Sequence, residues 1–172
     1  MPYTRPTTDI AKEGLFNMLQ HNLDLDEIKT LDLFGGTGSI SYELASRGAK
    51  ELTIVEKDST MYEFIKKTAK DLRIENLQVI KMDVFRFINQ CAQQFDFIFA
   101  DAMPGKYDLF DETIAMLNSG GIYIIDDMLP QPNWPLGHDE KVRSFINGLE
   151  SRNDLLMTKM NWSTGIIIIA KK

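Results

Sequence analysis

The chain has 172 residues, 44% hydrophobic and 26% charged, which suits one soluble domain with a sizeable core. Its 19 Lys+Arg against 25 Asp+Glu give a net charge of −6, which disfavours the broad basic face of a large nucleic-acid footprint. The single cysteine, Cys91, rules out an intrachain disulfide and points to a reducing, cytoplasmic setting; no apolar run approaches the roughly 20 residues that span a bilayer.

Residues 1–6 carry two prolines and read as irregular, with no apolar stretch of the kind a signal peptide needs. Thr7-Thr8-Asp9 can cap a helix over 7–21, with Ile10, Gly14, Leu15, Met18 and Leu19 on one face. Gly14 inside a helix suggests close packing against another backbone. Strand and helix signals then alternate. Strands are expected at 30–34, 51–56, 77–82, 95–100 and 122–125, with helices at 39–47, 59–72, 84–93, 107–117 and 140–149. Gly48 and the Gly120-Gly121 pair read as helix stops. Residues 128–138 form a proline-rich loop, and 155–160 and 165–170 are two strands joined by Asn161-Trp162-Ser163-Thr164.

This alternation predicts a Rossmann-like, doubly wound α/β domain over 1–172. Its seven-stranded sheet is mostly parallel, and the short last connection makes the final strand antiparallel. Ligands should bind at the carboxyl ends of the parallel strands. Those ends carry Asp32, Glu56, Asp83, Asp101 and Asp126-Asp127. Each alone reads as a cap or turn residue; together they are better explained as a site.

The stretch Leu31-Asp32-Leu33-Phe34-Gly35-Gly36-Thr37-Gly38-Ser39 reads as a buried strand, a glycine loop and a helix start. Gly35, Gly36 and Gly38 allow positive φ and close approach of a ligand. Gly36-Thr37-Gly38-Ser39-Ile40-Ser41 lacks the third glycine of a dinucleotide fingerprint. Asp32 at the strand end would repel a pyrophosphate and suits a cation. Glu56 closes the second strand, where a carboxylate can accept both ribose hydroxyls. An adenosine ligand with a positive amino-acid end fits, and that ligand is S-adenosylmethionine.

Asp32-x-Phe34-x-Gly36-x-Gly38, Glu56 and Asp83 resemble the class I S-adenosylmethionine-dependent methyltransferases over nearly the whole chain. The resemblance implies that Asp32, Phe34 and the Gly35, Gly36, Gly38 loop hold the methionine part. Glu56 would bind the ribose, Asp83 and Val84 would flank the adenine, and Asp101 would border the cofactor. The Lys57 side chain would be solvated. Arg5-Pro6-Thr7-Thr8-Asp9, Leu15-Phe16-Asn17, the 31–38 stretch and Ala45-Ser46-Arg47-Gly48-Ala49 are similar to bacterial small-subunit rRNA guanine-N2 methyltransferases. That likeness implies that Arg5 and Thr7 help to close the cofactor site.

The second half departs from that pattern. The Asp/Asn-Pro-Pro-Tyr/Phe motif of those enzymes is replaced by Asp101-Ala102-Met103-Pro104-Gly105-Lys106-Tyr107. Asp101-Ala102 followed by Tyr107 is similar to metal-dependent catechol-type O-methyltransferases. By that likeness Asp101, Asp126 and Asp127 would hold Mg²⁺, which suits hard oxygen ligands. Asp101, Tyr107 and Asp126 are the expected catalytic residues. In the 128–138 loop, Trp134 is a lid or substrate wall, or a plug on the domain's own edge. His138 begins a helix, His21 is structural, and Cys91 packs on the helix expected at 84–93.

The composition and the second-half motifs favour an enzyme that methylates a small hydroxylated molecule, acting as a monomer or homodimer without a membrane. The alternatives are rRNA guanine-N2 methylation and a cofactor-binding module without transferase activity. A nicotinamide dehydrogenase is weaker still.

Overall fold

The computed structural model describes residues 9–172, excepting the side chains of residues 9–11 and 22. A seven-stranded sheet runs in the order β3-β2-β1-β4-β5-β7-β6. The strands are β1 (Lys29–Leu33), β2 (Glu51–Glu56), β3 (Leu77–Lys81), β4 (Phe95–Ala100), β5 (Leu117–Ile125), β6 (Leu155–Met160) and β7 (Ile166–Lys171). The first five pair in parallel, and β7 runs antiparallel to both β5 and β6. The expected doubly wound sheet with one reversed strand is therefore present.

The helices cover both faces. On one face α1 (Asp9–Asn22) and α2 (Ser39–Ser46) bring Leu15, Phe16, Leu19, Ile40 and Leu44 onto Leu52, Phe97, Phe99, Ile122 and Ile124. On the other, α4 (Val84–Gln90), α6 (Phe110–Ala115) and α7 (His138–Glu150) pack on Leu31, Leu33, Ile98, Ala100, Tyr123 and Ile125. The alternation along β1 and β4 is the period-2 pattern of strands buried on both sides. Gly14 matters for a reason other than backbone approach: a Cβ there would collide with the indole of Trp162, in the β6–β7 turn.

The largest departures from the expected bounds lie between residues 84 and 125. The helix expected at 84–93 stops at Gln90, because Cys91 turns extended (φ −76, ψ 120). The helix expected at 107–117 begins only at Phe110, after Leu109 adopts φ 57. Between them, α5 (Met103–Lys106) is helical only at its ends, with Pro104 at ψ 138 and Gly105 at φ 83. Gly120-Gly121 lies inside β5, where the register against β4 shifts between Phe95 and Phe97. The remaining helix, α3 (Ser59–Asp71), is capped by Asp58.

Register decides where the site lies. Leu33 sits beside Val55 and Ala100, Val55 beside Ile80, and Ala100 beside Ile125. The next residues in each strand therefore reach the carboxyl edge together. Chain order reverses between β1 and β4, the switch point at which open α/β sheets bind ligands.

Candidate active site

Asp32 is the next-to-last residue of β1, at that switch point, and is 3% exposed. Ser41 of α2 donates to its Oδ2 at 3.4 Å, while its Oδ1 is buried without a hydrogen-bond partner. Burial pushes its carboxyl up to about 8; the Ser41 bond opposes this, and the charges of Asp101 and Glu56 add to it. Such a carboxyl holds its proton in the empty protein, and a cationic ligand that meets its charge favours the ionised form.

The glycine loop wraps around the same point. Phe34 takes φ 80, strained for an aromatic residue, and Gly36 and Gly38 take φ 50 and φ 80. A Cβ on Gly35 would strike Ile54, and one on Gly38 would meet the Tyr42 ring at 2.5 Å. Around Gly36 the nearest atom to a Cβ would be the Phe34 carbonyl at 3.9 Å, so its outer side is open. Glu56 fixes the loop: its Oε2 accepts from Gly36 N at 3.2 Å and its Oε1 from Asp58 N at 2.7 Å.

Asp83 sits at the N-terminus of α4, beside buried Val84. Its Oδ1 accepts from Phe85 N and Arg86 N at 3.1 and 3.4 Å, and its Oδ2 pairs with Lys57 at 3.0 Å. The Lys57 bond chiefly holds this carboxyl below its ordinary range. Lys57 is thus exposed but paired. Arg5 and Thr7 lie outside the described residues.

Across the switch point Asp101 follows β4. Its Oδ1 is buried with no hydrogen-bond partner. Burial first, then the charges of Asp126 and Asp127, push it up to about 7, while Lys106 acts the other way. Asp126 is 3% exposed, and its Oδ1 accepts from Thr164 Oγ1 at 2.6 Å and from Asp127 N at 2.8 Å. That oxygen ties the β6–β7 turn to the end of β5, a structural task. Asp127 takes φ 58.

The Mg²⁺ expectation does not fit this arrangement. Among the described residues no three acids, histidines or cysteines converge on a metal position. The ammonium of Lys106 acts electrostatically on Asp101, Asp126 and Asp127. It donates to the Asp126 carbonyl, and to the Asp127 carbonyl at 3.3 Å. Lys106 is the functional candidate that the sequence reading missed. Its signal was available: a lone basic residue between two acid-bearing strand ends.

Tyr107 is half-buried, and burial, with the Asp127 charge, pushes its hydroxyl up to about 12. Its ring meets His138 at 5.5 Å and Phe145 at 5.3 Å edge-on, and Lys141 lies 4.9 Å from its centroid. Trp134 is half-buried, packed against the core and edge-on to His138 at 4.6 Å, as a plug on the domain's edge would be. His138 begins α7, as expected. A pocket of about 300 Å³ opens among Tyr107, Lys141, Ser144 and Phe145. A hollow of about 610 Å³ lies elsewhere, at Gln20, His21, Asp24, Asp26 and Arg47, and no strand-end acid lines it. His21 is exposed and Cys91 half-buried against the core, with no part in the site.

The family described as Conserved hypothetical protein 95 matches residues 1–123. Ribosomal RNA small subunit methyltransferase D of Buchnera aphidicola subsp. Baizongia pistaciae is 32% identical over 154 residues, covering 82% of this chain and 78% of that protein. The protein of the same name from Escherichia coli K12 is 32% identical over 157 residues, covering 84% and 77%. Among solved structures, the O-methyltransferase from Bacillus cereus in complex with SAH matches with a TM-score of 0.79 at 14% identity, covering 99% of this chain and 84% of that one. The SAH-bound Podospora anserina methyltransferase PaMTH1 matches at 0.80 and 14%, covering 96% and 80%. At such identities these structures speak for the fold, and the fold agrees with the sequence relatives. The chain belongs to the Conserved hypothetical protein 95 family and is a class I S-adenosylmethionine-dependent methyltransferase.

Proposed function

We propose that this methyltransferase acts on an amino group of a base in small-subunit ribosomal RNA, guanine N2 being the expected position. The observation that carries the reading is the buried, unpartnered Asp101 Oδ1 at the end of β4, on the turn that leads to the Tyr107, His138 and Trp134 wall. A planar base can lie against such a wall and donate an N–H to such an oxygen. The names of the sequence relatives support the same substrate class.

On the cofactor side, the open face of Gly36 and the orphaned Asp32 Oδ1 fit a cationic adenosine ligand. Asp32 would take the ammonium end and Glu56 the ribose hydroxyls. Asp83 would reach the adenine amine on releasing Lys57, beside Val84. The bound cofactor supplies an electrophilic methyl group. The protein's part is to align the acceptor, strip water from it and accept its hydrogen bond at Asp101.

A small hydroxylated acceptor is the second reading, favoured by the net charge of −6 and the lost proline pair. Tritiated methyl transfer to unmethylated small ribosomal subunits and to catechol-like phenols, with and without Mg²⁺, separates the two. Ribonuclease-sensitive label is expected. Label confined to the phenols would overturn the RNA reading.

A further inference from the structure

Lys106 is 4% exposed, a state lysine reaches only when its charge is met. It lies at the end of α5, on the turn that begins with Asp101, and bonds to carbonyls at the end of β5. The carboxylates of Asp101, Asp127 and Asp126 all act on it, and the Tyr107 ring centroid lies 5.3 Å from its Nζ. Burial draws the ammonium below its ordinary range, and the acids oppose this. An apolar side chain would fill the space at less desolvation cost. What it could not do is tie the turn after β4 to carbonyl oxygens at the end of β5 while offsetting the acids around them. Those are the two tasks of a bridging cation.

We propose that Lys106 is the positioning residue of the acceptor pocket, its fixed ammonium holding the turn after β4 to the end of β5 and partly offsetting the charges of Asp101, Asp126 and Asp127 without a divalent cation. The Asp126 carboxylate is already committed to Thr164 and its own turn, and the Asp127 carbonyl to Lys106. Asp101 Oδ1 is left to receive the acceptor's N–H or O–H. The proposal rests on Asp101 facing the acceptor, whichever acceptor that is.

The test uses the full chain as wild type, Lys106→Met and Lys106→Arg. It reads S-adenosylmethionine affinity by calorimetry, acceptor kcat and KM on the labelled substrate, and Mn²⁺ binding by electron paramagnetic resonance. Wild type should transfer methyl groups equally well in EDTA and show no saturable Mn²⁺ binding. Lys106→Met should keep its cofactor affinity while acceptor kcat/KM falls on the order of 100-fold, and Lys106→Arg should recover much of the loss. A general loss of structure would instead lower cofactor affinity in parallel. Unchanged acceptor kcat/KM in Lys106→Met overturns the proposal. So does saturable Mn²⁺ binding by the wild type, or loss of its transfer in EDTA. Should Lys106→Met not fold, the wild-type metal measurements and Lys106→Gln carry the same outcomes. Label on phenols alone would sink the RNA reading while leaving this test intact with a phenol as substrate. If no acceptor is labelled, the wild-type Mn²⁺ titration decides.

Discussion

A carboxylate buried without a partner destabilises the empty protein, and a ligand that supplies the partner removes the penalty. Asp32 and Asp101 both stand in that position, on either side of the switch point. Replacing Asp32 with Asn keeps the size and the Ser41 contact but removes the negative charge. S-adenosylmethionine affinity should then fall by on the order of 100-fold in calorimetry, with the fold intact. An unchanged affinity would show that the cationic end binds elsewhere. The glycine loop offers a second test at this scale. Gly38 has φ 80 with Tyr42 where a Cβ would go, whereas Gly137 has φ 81 with nothing within 4 Å. Gly137→Ala should cost about 1 kcal/mol in urea unfolding, from backbone strain alone. Gly38→Ala should cost about 1–3 kcal/mol more, because the Tyr42 ring must move as well. Equal losses would mean that Tyr42 swings away freely.

The turn between β4 and α6 is the element on which the acceptor side depends. Tyr123, fully buried in β5, donates its hydroxyl to the Gly105 carbonyl and so holds the kink that aims Lys106 at the end of β5. Tyr123→Phe leaves that carbonyl without this bond and should cost about 1–3 kcal/mol in denaturant unfolding. Acceptor kcat/KM should fall while cofactor affinity holds, because the glycine loop is on the other side of the switch point. A drop in cofactor affinity of the same size would refute this division. The regular elements were legible because each carries its own local signal. Glu51–Glu56, Phe95–Ala100 and Leu155–Met160 form strands with the expected bounds, and Asp58 and Asp83 cap their helices. The Met103–Lys106 turn was not legible, since Tyr107–Leu117 has helical periodicity and nothing local marks Leu109 for φ 57. Lys106 escaped for a related reason. Whether a lysine is buried there depends on how β4 and β5, distant in sequence, register against each other. The carboxylates suggested a metal because a list of acids does not show which cation they face.

At the scale of the whole molecule, the site sets how stability changes with pH. Asp32 titrates at about 8 in the folded protein against an ordinary 3.8, and Asp101 at about 7. Between the ordinary and the raised values the folded chain holds protons that the unfolded chain has released. Stability therefore falls as pH rises through that window. Each such group contributes up to about 1.4 kcal/mol per pH unit. Asp83 and Asp154, whose carboxyls are lowered by their Lys57 and Arg152 bonds, work in the opposite direction, but their window lies below the ordinary 3.8. The apo protein should be most stable in mildly acid solution and lose melting temperature steadily toward pH 8. Asp32→Asn should flatten that slope, even though it abolishes tight cofactor binding. A cationic ligand favours the ionised carboxylate, so the rise in melting temperature produced by saturating S-adenosylmethionine should be larger at pH 8 than at pH 5. Thermal shift measurements on wild type and Asp32→Asn across this range test both halves. An apo melting temperature that climbs from pH 5 to pH 8 would show that Asp32 is already ionised in the empty protein, and the raised carboxyl, with the pH dependence argued from it, would fall.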